Sequence, residues 1–327
     1  MAVSVVSDHS ALAAHGARAI ADGSKSFALA SRLFGGQMRT DAQMLYAWCR
    51  HCDDIIDGQT LGADAPDASL SVAEQTERLA RLREQTGRAL RGATTGVSAF
   101  DGFALVAARH ELPPQYAFDL LDGFAMDVDR RAYGSMQDTL AYCYGVAGAV
   151  GVMMAILMGV SRDDHATLDR ACDLGLAFQL TNICRDVVDD ARAGRVYLPA
   201  DLLCRHGVDP TPAGVLDRQS RPALASATAE ALREADRYYA SAARGVRALP
   251  IRAAAAVLAA RNIYRDIGRV ILQRGPEAWD ERAYASPLRK AQLAFYGLVV
   301  GAPQPLIMRD RTAPPREDLW RRPIPVA

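Results

Sequence analysis

Two stretches of twelve residues concentrate the side chains best able to do chemistry. They are Tyr46-Ala-Trp-Cys-Arg-His-Cys-Asp-Asp-Ile-Ile-Asp57 and Gln179-Leu-Thr-Asn-Ile-Cys-Arg-Asp-Val-Val-Asp-Asp190. In the first, Tyr46, Arg50, Asp53 and Asp57 stand at offsets 0, 4, 7 and 11. On an α-helix these fall within about 60° of one another. In the second, Gln179, Asn182, Asp186 and Asp190 repeat nearly the same stripe at offsets 0, 3, 7 and 11. Carboxylates four residues apart repel on a helix face, and a cation between them relieves that repulsion. Carboxylate and amide oxygens are hard ligands suited to Mg²⁺ or Mn²⁺, with phosphate oxygens completing the shell. Asp54 and Asp189 are counted with this metal set, although Asp189 lies about 60° off its stripe. Arg50 and Arg185, one beside each cluster, are suited to phosphate oxygens. Two such stripes facing one another would make a magnesium–diphosphate site at a cavity mouth. The competing reading of each stripe alone is a solvated, salt-bridged face.

Other chemistries lack their residues. No phosphate-binding G-x-x-x-x-G-K-[ST] or dinucleotide-binding G-x-G-x-x-G is present, and no His pair has zinc-protease spacing. Cys49 and Cys52 form a C-x-x-C with no second pair, which speaks against structural zinc. The six cysteines read as reduced thiols on helices. Lys and Arg together number 38 and Asp and Glu 38, so no net basic field points to nucleic acid. Lys25 and Lys290 are the only lysines; every other fixed cation is Arg.

The elements that must carry these stripes read as helices throughout. Periodic apolar patterns predict helices over Ala17–Leu33, with a break at 22–24, and over Thr40–Ile56 and Val72–Leu90. Further helices follow from Pro113–Pro114 to Met126, over Leu168–Asp190, and over Ala223–Leu249 and Ile251–Gly275. No strand-like alternation with turn chemistry interrupts them. Thr139–Ser161 carries no charge, long enough for a membrane span. Its glycines at 145, 148, 151 and 159 favour a buried helix packed closely on its neighbours. The expected architecture is all-α, a single-domain helical bundle around a central cavity. It comprises a loosely held start over 1–15, one domain over 16–307 and a Pro/Arg-rich tail over 308–327. That tail is expected to be solvated or to form a peripheral strap. The N-terminus lacks a signal-peptide pattern, so a cytoplasmic setting is expected.

Three segments together resemble the squalene/phytoene synthase family. They are Asp53–Asp57, Tyr142-Cys-Tyr-Gly-Val-Ala-Gly148, and Asn182–Asp190 followed by Gly194-Arg-Val-Tyr-Leu-Pro199. Ala171–Pro199 is most similar to the family's bacterial phytoene-forming members. The resemblance extends over roughly residues 20–300 and implies an isoprenoid-synthase fold. It implies head-to-head condensation of two geranylgeranyl diphosphates, through prephytoene diphosphate, to phytoene. Ser24, Lys25, Ser26 and Phe27 are implied as a diphosphate-contacting segment, and Tyr142 as a ring facing the reacting carbons. Arg195 and Tyr197 are implied as a flap, and Tyr264 and Arg282 as later phosphate contacts. Tyr46 and Tyr142 can stabilise cations through their ring faces. No NADPH is expected. Peripheral contact with the inner face of a membrane, and with upstream and downstream carotenoid enzymes, is expected from the substrate and product. The alternatives are squalene or dehydrosqualene synthesis from two farnesyl diphosphates, a terpene cyclase, and a non-catalytic helical assembly factor.

Overall fold

The computed structural model describes residues 2–58, 70–283, 289, 292–293 and 316–324. Thirteen α-helices run through them in chain order. The first six are α1 (Ala2–Gly23), α2 (Lys25–Ser31), α3 (Gly36–Asp57), α4 (Val72–Leu90), α5 (Ser98–His110) and α6 (Pro114–Val128). Then come α7 (Met136–Cys143), α8 (Ala149–Leu157), α9 (His165–Arg192), α10 (Ala200–Arg205) and α11 (Pro212–Leu216). Last are α12 (Arg221–Gly245) and α13 (Ile251–Arg274). No strand occurs among the described residues.

Local chemistry sets the ends that matter. Ser71 and Glu74 form a capping box at the start of α4, and Ser135 and Asp138 another at α7. Asp164 caps α9 by accepting from the Thr167 amide at 3.0 Å. Past the ends of α3 and α9 stand Gly58 and Gly194, with φ of +65° and +78°. That left-handed conformation costs other residues more, and it ends each helix just after its acidic stripe.

Helix α9 is the axis of the bundle, packed by α8, α12 and α13. Its approach to the uncharged segment is as close as backbones allow. A methyl group at Gly175 would overlap the Ala147 carbonyl, and one at Gly151 would lie 2.5 Å from the Ala171 carbonyl oxygen. Between α7 and α8 the chain widens into one π-helical turn, Tyr144–Gly148, whose Gly145 rests on Gly123 of α6. The apolar helical run Met136–Leu157 has the length and composition of a membrane span. Its 18-residue apolar window is 67% buried by the rest of the chain. Small residues thus serve close packing here.

Several elements add to the reading of the sequence. Residues 2–15, expected as a loose start, are helical from Ala2 onward. Helix α5 was not anticipated; Phe100, Phe103 and Val106 bury its inner face. Of the two expectations for the tail, residues 316–324 form the peripheral strap. Arg316 reaches Asp173 and Asp169 of α9, and Arg322 donates to the Tyr116 hydroxyl at 3.0 Å. The Trp320 ring lies 5.2 Å from that of Tyr144. Proline content suggested mobility, but buried acids on α9 supply partners that local sequence does not reveal. Cys52 is buried in the core and Cys49 is half-buried, its thiol pushed upward by burial. The pair is thus poorly placed for redox chemistry.

Candidate active site

Helices α3, α6, α8, α9 and α13 enclose a cavity of about 1360 Å³. Both acidic stripes open onto it. From α3 come Tyr46, Arg50, Asp53 and Asp57, and from α9 come Gln179, Asn182, Arg185, Asp186 and Asp190. Each stripe ends its helix, where unsatisfied carbonyls place partial negative charge. Carboxylates there face an unfavourable field, which arginines or cations must offset.

The arginines are distributed unevenly. Arg50 bridges Asp53 at 2.9 Å, and its Nε donates to Asp54 at 2.8 Å. Asp54 therefore sits beside the guanidinium and off the cavity wall. Arg185 Nε donates to Asp186 at 2.8 Å, and Arg282 adds two bonds at 3.0 and 3.1 Å. Arg195 donates to Asp57 at 2.9 Å, tying the segment after α9 to the end of α3. Asp189 points to the rim and pairs with Arg192 at 2.7 Å, so its neighbour is a surface cation.

These surroundings separate the carboxyls. Burial, with Asp57, Asp54 and Asp127 adding repulsion, pushes Asp53 up to about 7 despite Arg50. Burial and the nearby Asp186 push Asp190 well above the ordinary range. Burial would raise Asp186 too, but its bonds from Arg185 and Arg282 outweigh that and hold it low.

Asp127, near the end of α6, escaped the reading of the sequence. It accepts from the Tyr197 hydroxyl at 2.6 Å and from the Tyr142 hydroxyl at 3.0 Å. The Tyr142 and Tyr197 rings stack at 4.7 Å. Burial pushes Asp127 up to about 6, against the opposing pull of Arg195 and the two hydroxyls. Tyr142 thus belongs to the polar mouth through its hydroxyl as well as to the cavity wall through its ring. A lone Asp on a helix carried no spacing signal that could have marked it.

Ser24 caps α2 by accepting from the Phe27 amide at 3.3 Å, and Ser24 and Phe27 both line the cavity. The side chains of Lys25 and Ser26 lie outside the described residues. Phe27, Phe178 and Tyr264 form an aromatic group, with Tyr264 at 5.5 Å from Phe27 and 4.3 Å from Phe178. The Tyr264 ring helps build the aromatic wall, and Tyr264 lies within electrostatic reach of Arg185, Asp186 and Arg282. Tyr46 joins this group at 6.3 Å from Phe27. Gly23 leaves the room it needs, since a methyl there would stand 2.6 Å from the Tyr46 oxygen.

The arrangement fits a hard cation. Asn182 Nδ2 donates to Gln179 at 3.3 Å, while Asn182 Oδ1 is buried without a hydrogen-bond partner. Such an acceptor is costly unless a ligand satisfies it. No three carboxylate, His or Cys side chains converge on one point among the described residues. A cation here would draw the rest of its shell from water and phosphate, as Mg²⁺ commonly does.

The sequence model of the squalene/phytoene synthase family matches residues 20–289. A 15-cis-phytoene synthase from Pantoea ananas is 48% identical over 95% of this chain and 97% of its own. One from Enterobacter agglomerans is 49% identical over 92% of this chain and 99% of its own. Among solved structures, a dehydrosqualene synthase bound to a ligand superposes with a TM-score of 0.78 at 25% identity. That match covers 89% of this chain and 96% of the other. A squalene synthase from Alicyclobacillus acidocaldarius shares the fold, with a TM-score of 0.68 at 22% identity, over 84% of this chain and 96% of the other.

Proposed function

The chain belongs to the squalene/phytoene synthase family, and from that premise we propose that it condenses two geranylgeranyl diphosphates head to head to give phytoene. The observation that carries the reading is one cavity with two acidic, arginine-flanked stripes at its mouth and aromatic and aliphatic walls behind them. Relatives named for phytoene synthesis, near half identical over almost their whole length, favour the twenty-carbon substrate over farnesyl diphosphate.

Asp53 and Asp57 on α3, with Asn182, Asp186 and Asp190 on α9, would hold Mg²⁺ or Mn²⁺. The ion's contribution is to neutralise the leaving diphosphate. With a cation bound, Arg50, Arg185, Arg195 and Arg282 would be available to bind diphosphate oxygens. Loss of diphosphate from one substrate leaves an allylic cation. This cation adds to the C2=C3 bond of the second substrate, and proton loss closes the cyclopropane of prephytoene diphosphate. A second ionisation, rearrangement and proton loss yield phytoene. The stacked rings of Tyr142 and Tyr197 offer their faces to passing cations, at roughly 0.5–2 kcal/mol each. Leu45, Val146, Val150 and Phe178 keep water from the cations. The sequence of steps consumes no reductant, so no nicotinamide is invoked. An amphipathic substrate and a water-insoluble product suit a cytoplasmic enzyme resting on the inner membrane face. Other enzymes of carotenoid synthesis would supply its substrate and take its product there.

The test is incubation with farnesyl or geranylgeranyl diphosphate, with and without Mg²⁺ and NADPH, followed by mass analysis of the hydrocarbon. Phytoene from the twenty-carbon substrate, abolished by excess chelator, is the expected result. A thirty-carbon product alone, or full activity in chelator, overturns the corresponding part of the reading.

A further inference from the structure

The cavity follows one face of α9 from Asp190 to Thr167. Its far end is closed by Met158, Thr167, Arg170, Gly245, Val246 and Leu249. Arg170 is unusual there, a guanidinium only 6% exposed at the foot of an apolar cavity. Its stem lies against Gly245, where a methyl would come within 2.7 Å of the Arg170 Cβ. Behind Arg170 is a second, small cavity of about 220 Å³, lined by Arg170, Ser241, Arg316 and Leu319 among others. Arg170 borders both spaces and divides them.

A chain of polar contacts holds this divider. Arg170 Nη1 donates to the Ser241 Oγ at 3.1 Å, and Ser241 Oγ donates to Asp173 at 2.5 Å. Asp173 is fully buried, and Arg316 of the C-terminal strap donates to it through Nε at 2.8 Å. Trp320 keeps the strap seated, its amide donating to the Tyr238 hydroxyl at 3.1 Å.

The lengths agree with a measuring role. Asp186 and Arg170 are 16 residues apart on α9, about 24 Å of helix axis. An extended twenty-carbon prenyl chain, at roughly 1.25 Å per main-chain carbon, spans about 20 Å. A diphosphate seated near Asp186 would therefore bring its tail to Arg170. We propose that Arg170, braced through Ser241 and Asp173 by Arg316 of the strap, is the floor that sets the longest prenyl chain the enzyme accepts. This assignment rests on the proposed use of prenyl diphosphates and adds the residue that limits their length.

The test uses the full chain and diphosphates of fifteen, twenty and twenty-five carbons, together with their unreactive thiolodiphosphate analogues. Rates with the diphosphates report turnover, and titration of the analogues reports cavity depth whatever reaction follows. Arg170→Ala joins the two spaces. The affinity and kcat/KM ratios of twenty-five- to twenty-carbon compounds should rise at least about tenfold, the scale of a pocket discriminating by small apolar groups. Arg316→Ala should move the same ratios in the same direction, and Arg316→Lys should return them toward wild type. If loss of Arg316 prevents folding, the Arg170→Ala ratios decide alone. Unchanged ratios in folded Arg170→Ala protein overturn the floor assignment. Shifted analogue ratios in an enzyme that forms no phytoene keep the floor and overturn the condensation reading instead.

Discussion

On α9, Asp186 is surrounded by cations: Arg185 from its own helix and Arg282 from beyond α13. On α3, Asp53 shares the one guanidinium of Arg50 with Asp54, while Asp57 takes Arg195. The outcome is opposite protonation tendencies at two corresponding positions, Asp53 and Asp186, while Asp190 of α9 is pushed up as Asp53 is. Asp186 is held below the ordinary carboxylate range, and Asp53 is pushed up to about 7. Spacing along a helix therefore decides which side chains meet, but the neighbouring elements decide their charge. Without a cation Asp186 is already compensated, whereas Asp53, like Asp190 on α9, is a carboxyl that burial makes costly to ionise.

That asymmetry is broken most directly by removing one acid from each stripe. Asp53→Ala and Asp186→Ala should each lower turnover by about a thousandfold or more, on the order of 4 kcal/mol of transition-state stabilisation. Their effects on the cation-free fold should have opposite signs. Asp53→Ala removes a poorly compensated carboxylate and should raise the melting temperature near pH 8. Asp186→Ala leaves the half-buried Arg185 without this partner and should cost about 1–3 kcal/mol. Thermal unfolding in chelator reads both. Equal shifts of the same sign would mean that Asp53 and Asp186 are electrostatically equivalent after all.

A smaller effect separates ring from hydroxyl at Tyr142. Its ring lines the cavity, but its hydroxyl is bound to Asp127. Tyr142→Phe keeps the ring face, so phytoene formation should fall only a few fold. Tyr142→Ala removes the ring, and a cation less stabilised by up to a couple of kcal/mol should slow product formation roughly tenfold or more. Some flux should then appear as prephytoene diphosphate or its water-trapped alcohols. Product analysis beside a substrate-binding titration distinguishes the two variants. Wild-type phytoene formation by Tyr142→Ala would return the ring to a packing role.

How much of this was legible in the sequence follows from the range of each interaction. Helix periodicity is local, so the stripes at 46–57 and 179–190 could be drawn before any fold was known. The small residues at 145, 148 and 151 likewise announced close packing. Asp127 could not be read, because its partners Tyr142 and Tyr197 are 15 and 70 residues away. A strap was one of two expectations for the tail, but its seat was hidden for the same reason: Arg316 meets Asp173 across 143 positions of sequence. For Tyr264 a motif could place the residue near the site but not orient its ring. Its ring direction depends on Phe27 and Phe178, which belong to other helices.

Asp127 stands between the stripes, its carboxyl repelled by Asp57 and drawn by Arg195, and it should produce the smallest and most specific effect. Burial raises it to about 6 in the folded chain, against about 3.9 for a free aspartate. Between those values the folded chain holds a proton that the unfolded chain has released. The unfolded state then binds fewer protons, so this group's contribution to stability falls as pH rises from about 4 to about 6. Above that range the loss is complete and the contribution is flat. Asn at this position has no proton to lose and can still accept a hydrogen bond from one tyrosine. Asp127→Asn should therefore remove its share of the downward slope between about pH 4 and 6, leaving the shares of Asp53 and Asp190. Relative to wild type, the variant should gain a few degrees in melting temperature on moving from pH 4 to pH 7. The measurement is a pair of melting curves across that range in chelator. Parallel pH profiles for the two proteins would show that Asp127 is ionised throughout, with Arg195 and the two hydroxyls prevailing over burial.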